Sequence, residues 1–175
     1  MIFVTTGLHP DGFDRLVRTA DEMGSFIEEP VVIQRGGTRY TPKFAQYFDF
    51  VNDGRMKEWL RETRVVVSHG GAGSILHTLQ AGKPLVVVPR LKRFGEVIDD
   101  HQLELARALS QQGRAVVVVD LSAEALWQAI GQITAPTMRL AGKTPAYGLQ
   151  DTLRAWLAEQ ATSRARWHWR PGWKR

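Results

Sequence analysis

The stretch Val65-Val66-Val67-Ser68-His69-Gly70-Gly71-Ala72-Gly73-Ser74-Ile75-Leu76 decides how this chain is read. Three consecutive valines are β-branched and apolar without alternation, which predicts a strand buried on both faces of a sheet. Glycines at 70, 71 and 73 follow, and a helical pattern resumes from Ser74 to Ala81. Strand, glycine turn and helix in that order place unpaired N–H groups and the positive end of a helix dipole where an anion can approach the backbone closely. A pyrophosphate suits such a turn, held on Gly70, Gly71, Ala72 and Gly73, with Ser74 adding a hydroxyl and His69 a further donor. The same string also suits a tight strand-to-helix turn in which His69 hydrogen-bonds backbone.

Two other phosphate loops fail on spacing. A dinucleotide fingerprint begun at Gly71 meets Leu76 where its third glycine belongs, and it is expected on the first strand rather than the fourth. A Walker loop ending at Gly142-Lys143-Thr144 has Thr137 in place of its first glycine.

Outward from the glycine turn, apolar runs of strand length occur at 1–5, 30–34, 46–50, 85–89 and 115–119. The run from Val116 to Val119 reads, like Val65 to Val67, as buried on both faces. Helical patterns lie between and beyond them at 13–27, 56–61, 100–112, 123–133 and 149–159. Gly82 and Gly113 fall just past two helix ends, as C-caps do. Alternating strands and helices call for an α/β fold: a Rossmann-like three-layer domain with a mostly parallel sheet. Residues 134–148 are rich in breakers and read as a surface connection, with the last helix packed back on the body. No internal repeat is present.

In a doubly wound sheet the loops leaving neighbouring strands share one crevice at the carboxyl edge. The loop after the fifth run holds Pro89-Arg90-Leu91-Lys92-Arg93-Phe94-Gly95-Glu96-Val97-Ile98-Asp99-Asp100-His101-Gln102. Its cations, carboxylates and amide suit phosphate and sugar hydroxyls beside the glycine turn. The structural alternative is that Asp99 and Gln102 form a capping box while Arg90, Lys92 and Arg93 are simply solvated. Asp99, Asp100 and His101 are consecutive and do not converge as metal ligands, so no metal site is expected.

At 175 residues the chain has the length of one domain, and 43% hydrophobic with 23% charged residues excludes disorder or a fibrous repeat as a description of the whole. It contains no cysteine, which removes disulfides and thiolate chemistry and suits a reducing compartment. With no basic n-region and no apolar run near the roughly 18 to 20 residues of a bilayer span, a cytoplasmic protein is expected. The net charge of +5 is all at the C-terminus: residues 160–175 hold Arg164, Arg166, Arg170, Lys174 and Arg175 without an acid. Trp167, Trp169 and Trp173 interleave with these cations, a mixture suited to an anionic membrane surface. A tail packed on a partner subunit, or a disordered terminus, fits the same residues. The neutral body offers no basic groove, so nucleic-acid binding is not expected.

The chain resembles the donor-binding half of GT-B glycosyltransferases of the family 28 type, and among them the small one-domain subunits. That group includes exopolysaccharide proteins and the catalytic subunit of the two-part UDP-GlcNAc transferase of N-glycan assembly. The resemblance rests on Ile2-Phe3-Val4-Thr5-Thr6-Gly7, Phe13-Asp14-Arg15-Leu16-Val17, Gln34-Arg35-Gly36, Ser68 to Leu76, Gly82 to Arg90, and Asp99-Asp100-His101-Gln102-Leu103-Glu104-Leu105-Ala106. It implies a nucleotide-sugar-binding domain over residues 1–160 followed by a basic, Trp-rich tail over 161–175.

It further implies a UDP-sugar as donor substrate, with no separate cofactor: diphosphate on the glycine turn and Ser74, uracil near the loops after earlier strands, sugar near Asp100 and Gln102, with Arg90 nearby. The partner implied is a membrane-anchored, acceptor-binding subunit that brings a lipid-linked saccharide to the cytoplasmic face. Inverting transfer is implied, with Ser74 and His69 stabilising the departing diphosphate and the base either on the partner or at His9. One position departs from the family: the glutamate usually found three residues after the serine, where it binds the ribose, is His77. A neutral imidazole accepts only one hydrogen bond, leaving the ribose to Glu96 or to weaker binding. A non-catalytic enhancer subunit of a partner transferase is the alternative.

Overall fold

The structure is a computed structural model, and it describes residues 1–134. Six strands form one sheet, β1 (Ile2–Thr5), β2 (Val31–Gln34), β3 (Gln46–Phe48), β4 (Val65–Ser68), β5 (Leu85–Val87) and β6 (Val116–Val117). Every pairing is parallel, and the order is β3-β2-β1-β4-β5-β6. The helices are α1 (Asp14–Gly24), α2 (Asp53–Glu62), α3 (Ala72–Gln80), α4 (His101–Gln111) and α5 (Ala123–Thr134), with a short 3-10 turn at Lys92–Phe94.

The sheet is covered on both faces. Ile2, Val4, Val31, Ile33, Val65, Val67, Val86 and Val88 point into one core with Leu16, Val17 and Met23 of α1 and Leu126, Ile130 and Ile133 of α5. Phe3, Val32 and Val66 point the other way, against Met56, Trp59 and Leu60 of α2. Adjacent residues thus serve opposite layers, which is why the uninterrupted valine run of β4 is wholly buried. Val116 and Val117 are only half-buried, against the reading of that run as buried on both faces. The reason is sheet order: β6 is an edge strand, as is the largely exposed β3.

The elements end close to where turn chemistry places them. Gly82 and Gly113 have φ of 65°, and each sits one residue past its helix cap. Gly82 N–H donates to Leu79 O and Lys83 N–H to Thr78 O, while Gly113 N–H donates to Ser110 O and Arg114 N–H to Leu109 O. These are the two bonds of a Schellman motif at each end. Helix α2 begins three residues earlier than its apolar pattern, because Asn52 caps it by accepting from Arg55 N–H at 2.9 Å. No helix among the described residues is long and apolar enough to cross a membrane. The connection at 135–148, the helix pattern at 149–159 and the tail at 161–175 lie outside the described residues, as does the boundary expected at 160.

Candidate functional site

Strand order reverses between β1 and β4, since the chain leaves β1 towards β2 on one side and returns to β4 on the other. The loops leaving these two strands therefore splay apart at the carboxyl edge and open a crevice, the usual ligand position of a doubly wound sheet. The β4–α3 turn at residues 69–71 lies at that edge. Gly71 is the N-cap of α3 and offers no side chain, so no side-chain acceptor covers the helix start. The N–H groups of the first turn have no intrahelical acceptor. A Cβ built at Gly73 meets nothing within 4 Å, and the hydroxyl of the half-buried Ser74 has no partner among the described residues. This turn can accept an anion.

His69 borders it. The imidazole is 8% exposed and is seated between two glycines: a Cβ on Gly7 would stand 2.4 Å from Cε1, and one on Gly71 would stand 2.3 Å from Nε2. Burial, with the nearby charge of Arg90 adding to it, pushes its pKa down to about 4, so the ring is neutral at physiological pH. Nδ1 is buried with no partner at good hydrogen-bond geometry, while the backbone of Thr5 acts on the ring and partly offsets the downward push. His9, half exposed on the β1–α1 loop, accepts from Asp11 N–H at 3.3 Å through Nδ1 and is near enough to act electrostatically on His69.

The β5–α4 loop corrects two readings of the sequence. Arg90 is not a solvated cation: it is 1% exposed, donates to Gly12 O and Thr6 O, and lies over the Phe13 ring. Its guanidinium faces into the protein rather than into the crevice. The Asp99–Gln102 capping box does not form, because Asp100 is the N-cap of α4 and makes no side-chain cap bond. Asp99 accepts instead from His101 N–H, and Gln102 Oε1 accepts from Arg90 N–H at 3.2 Å. A Cβ on Gly70 would lie 3.5 Å from Gln102 Cβ, so Gln102 stands directly against the glycine turn. Asp100 accepts from Lys92 N–H at 3.0 Å through one oxygen.

Glu96 is not free to replace the missing carboxylate. Arg15 of α1 grips both its oxygens at 2.9 Å, and Leu91 N–H donates to one of them. His77 is exposed on α3 and lines a groove of about 440 Å³ together with Asp53, Met56, Lys57 and Arg61 of α2; none of the residues 70–74 lines it. The part sequence reasoning missed is Arg15, whose partners Pro89 and Glu96 are 74 and 81 residues away. No local pattern signals a pairing at that separation.

Comparison with known proteins supports the fold and gives the family. Residues 1–155 match the model of the glycosyltransferase family 28 C-terminal domain. The human UDP-N-acetylglucosamine transferase subunit ALG13 is 36% identical over 102 residues, which is 58% of this chain and 8% of that protein. The UDP-N-acetylglucosamine–N-acetylmuramyl-(pentapeptide) pyrophosphoryl-undecaprenol N-acetylglucosamine transferase of Cupriavidus necator is 31% identical over 124 residues, covering 64% of this chain and 33% of that one. Among solved structures, MurG of Acinetobacter baumannii superposes with a TM-score of 0.60 at 19% identity, covering 89% of this chain and 49% of that chain. The kitacinnamycin glycosyltransferase gives 0.65 at 21%, covering 89% and 39%. The chain thus spans less than half the length of these relatives. With an all-parallel six-stranded sheet, an uncapped glycine turn at its switch point and a family match over most of its length, this chain belongs to the glycosyltransferase family 28 C-terminal domain family.

Proposed function

We propose that this chain is the donor-binding and catalytic subunit of a two-subunit inverting transferase. It moves a sugar from a UDP-sugar to a saccharide carried on a lipid diphosphate, in exopolysaccharide or glycan biosynthesis. The observation that carries the reading is the open start of α3, uncapped and flanked by a buried, neutral imidazole at the switch point of the sheet. A diphosphate there receives the free N–H groups of the first turn, the Ser74 hydroxyl and one donor from His69, and the helix dipole adds to them. Gln102 has its amide NH₂ left for a sugar hydroxyl, since its oxygen is already used. The second oxygen of Asp100 serves the same purpose.

In an inverting displacement the acceptor oxygen bonds to the anomeric carbon as the bond from that carbon to the diphosphate oxygen breaks. The UDP leaves with its negative charge, and the acceptor proton passes to a general base. That charge develops at the α3 turn. The base belongs to the acceptor-binding partner or is His9, which the β1–α1 loop holds near enough to His69 to act on it electrostatically.

A partner is supported by a relative and by surface. One curated relative is named as a subunit. The loops after β1, β3 and β5 carry exposed Leu8, Phe50, Phe94 and Ile98 around the carboxyl edge, Ile98 at 91%. Placement on the cytoplasmic face of a membrane rests on the tail at 161–175. Sedimentation with anionic liposomes tests it: a chain ending at 160 should stay in the supernatant, and unchanged sedimentation would remove the tail from the reading. His77 favours the second reading, a non-catalytic enhancer, because it leaves α3 without the ribose-binding carboxylate of the family.

Calorimetric titration with UDP, and with ADP as control, tests the donor site. UDP should bind selectively, and Gly73→Asp should weaken it by at least tenfold through bulk and charge, as about 1.4 kcal/mol of repulsion suffices. Absence of UDP binding both alone and with the partner subunit would overturn the catalytic reading and leave the enhancer.

A further inference from the structure

We infer that Arg15 and Arg90 form a crossed brace that sets the two crevice loops in place before any donor arrives, with Arg90 acting as a positioning residue for His69. Arg90 starts three residues beyond β5, in the β5–α4 loop, and crosses the end of β4 to reach the β1–α1 loop. There it donates to Thr6 O at 3.2 Å and to Gly12 O, the carbonyls at the two ends of that loop. Arg15 starts just beyond the same loop and reaches the opposite way, to Pro89 O at 2.9 Å and to both oxygens of Glu96. Each loop is therefore held by an arginine from the other side of the crevice.

The aromatic contacts follow the same crossing. Phe13 lies under Arg90 at 4.5 Å and beside Arg15 at 5.2 Å, while Phe94 meets Arg15 at 4.8 Å. Between the braced loops sits His69, its ring seated on the backbone of Gly7 and Gly71. Nδ1 has no partner at good hydrogen-bond geometry, and the backbone that acts on the ring is that of Thr5, next to Thr6. Its orientation thus depends on Gly7 staying where it is, and Gly7 follows Thr6, whose carbonyl Arg90 holds.

A purely structural tie between two carbonyls needs only neutral donors. Here the tie is a guanidinium, 1% exposed, with no ion-paired carboxylate among the described residues and Nε left unpartnered, though Glu96 and Asp11 lie near enough to act on it. Burying such a cation is costly. What the charge adds is positive potential directly behind the imidazole that borders the anion site. The charged and titratable groups that act on His69 are Arg90 from the β5–α4 loop and His9 from the β1–α1 loop.

The consequence for donor affinity rests on the proposed transferase reading, whereas the brace does not. The test uses the full chain. In wild type, hydrogen exchange of the 7–12 amides should be the same with and without UDP, because the loop is already set. Arg90→Lys keeps the charge and loses the fork: UDP affinity should fall on the order of tenfold, which the loss of about 1.4 kcal/mol of contact with a displaced imidazole suffices to produce. By NMR, the His69 ring signals should move in this variant while its titration midpoint stays low. Arg90→Met removes the charge as well, and the midpoint should rise.

Strong slowing of 7–12 exchange by UDP would overturn the brace, and this measurement stands even if neither variant folds. So would unchanged His69 ring signals in Arg90→Lys together with UDP affinity within about twofold of wild type. If wild type binds no UDP either alone or with the partner subunit, the transferase reading fails, and the His69 signals of the two variants still decide the brace.

Discussion

Replacing Gly71 by alanine isolates the packing of His69 from every other property of the glycine turn. Gly71 has φ of −68°, a conformation open to any residue, so alanine meets no backbone strain. Its Cβ, however, would stand 2.3 Å from Nε2 and 2.9 Å from Cε1 of His69, where ordinary contact begins at 3.4 Å. The ring has little room to retreat, because it also fills the place that a Cβ on Gly7 would take, 2.4 Å from Cε1. An overlap of this size in a tightly packed site costs about 1–3 kcal/mol, or roughly 2–4 °C of melting temperature per kcal/mol at this chain length. Gly7→Ala should cost more. It meets the same ring and also has φ of 76°, which adds about 1 kcal/mol of left-handed strain. Equilibrium urea unfolding of the single variants, His69→Ala and the two doubles measures both contributions as couplings. His69→Ala should erase the cost of Gly71→Ala and only part of the cost of Gly7→Ala. Full stability in Gly71→Ala, or an undiminished loss in the His69→Ala background, would refute the seating of the ring.

Other outcomes follow from the same contacts. His69 is held neutral, with its pKa depressed from 6.5 to about 4, so the unfolded chain takes up its proton first. Stability is therefore complete above about pH 6.5 and is lost as pH falls towards 4, by about 3 kcal/mol for this group; urea unfolding from pH 7 to 4 should show this slope in wild type and a smaller one in His69→Ala. Asp21 is 1% exposed and accepts from the N–H groups of Lys43, Phe44 and Ala45 and from the Tyr40 hydroxyl. Burial pushes its carboxyl up, but these four bonds together hold it below its ordinary value. Asp21→Asn sets an NH₂ against N–H donors and should cost about 3 kcal/mol in thermal unfolding, with an unchanged melting temperature counting against the network.

Much of the fold is legible locally because its signals are local. Burial on both faces writes itself as the valine run of β4, and helix ends write themselves as Gly82 and Gly113, where only a residue without Cβ closes the turn cheaply. Boundaries drift where a cap lies outside the apolar pattern, as at Asn52. The reading of Val116 to Val119 failed because an edge position is a property of sheet order, and the same residues would be buried one strand further in. In the β5–α4 loop, an arginine in a polar string is indistinguishable from a solvated one. Only the carbonyls of Thr6 and Gly12, 84 and 78 residues away, show where it goes.

By itself the sequence determined the class of fold, the glycine turn and its neighbourhood, since hydrophobic period and backbone freedom are encoded over a few residues. It also carried the family resemblance, which is a matter of motifs in order. Only the tertiary structure decided what each polar group does. It turned Arg90 inward, committed Glu96 to Arg15, placed His77 on a groove apart from the turn and seated His69 between two glycines 64 residues apart in the chain. The physical reason is that a buried charge or imidazole is defined by its partners and its distance from water, and both are set by segments remote in sequence.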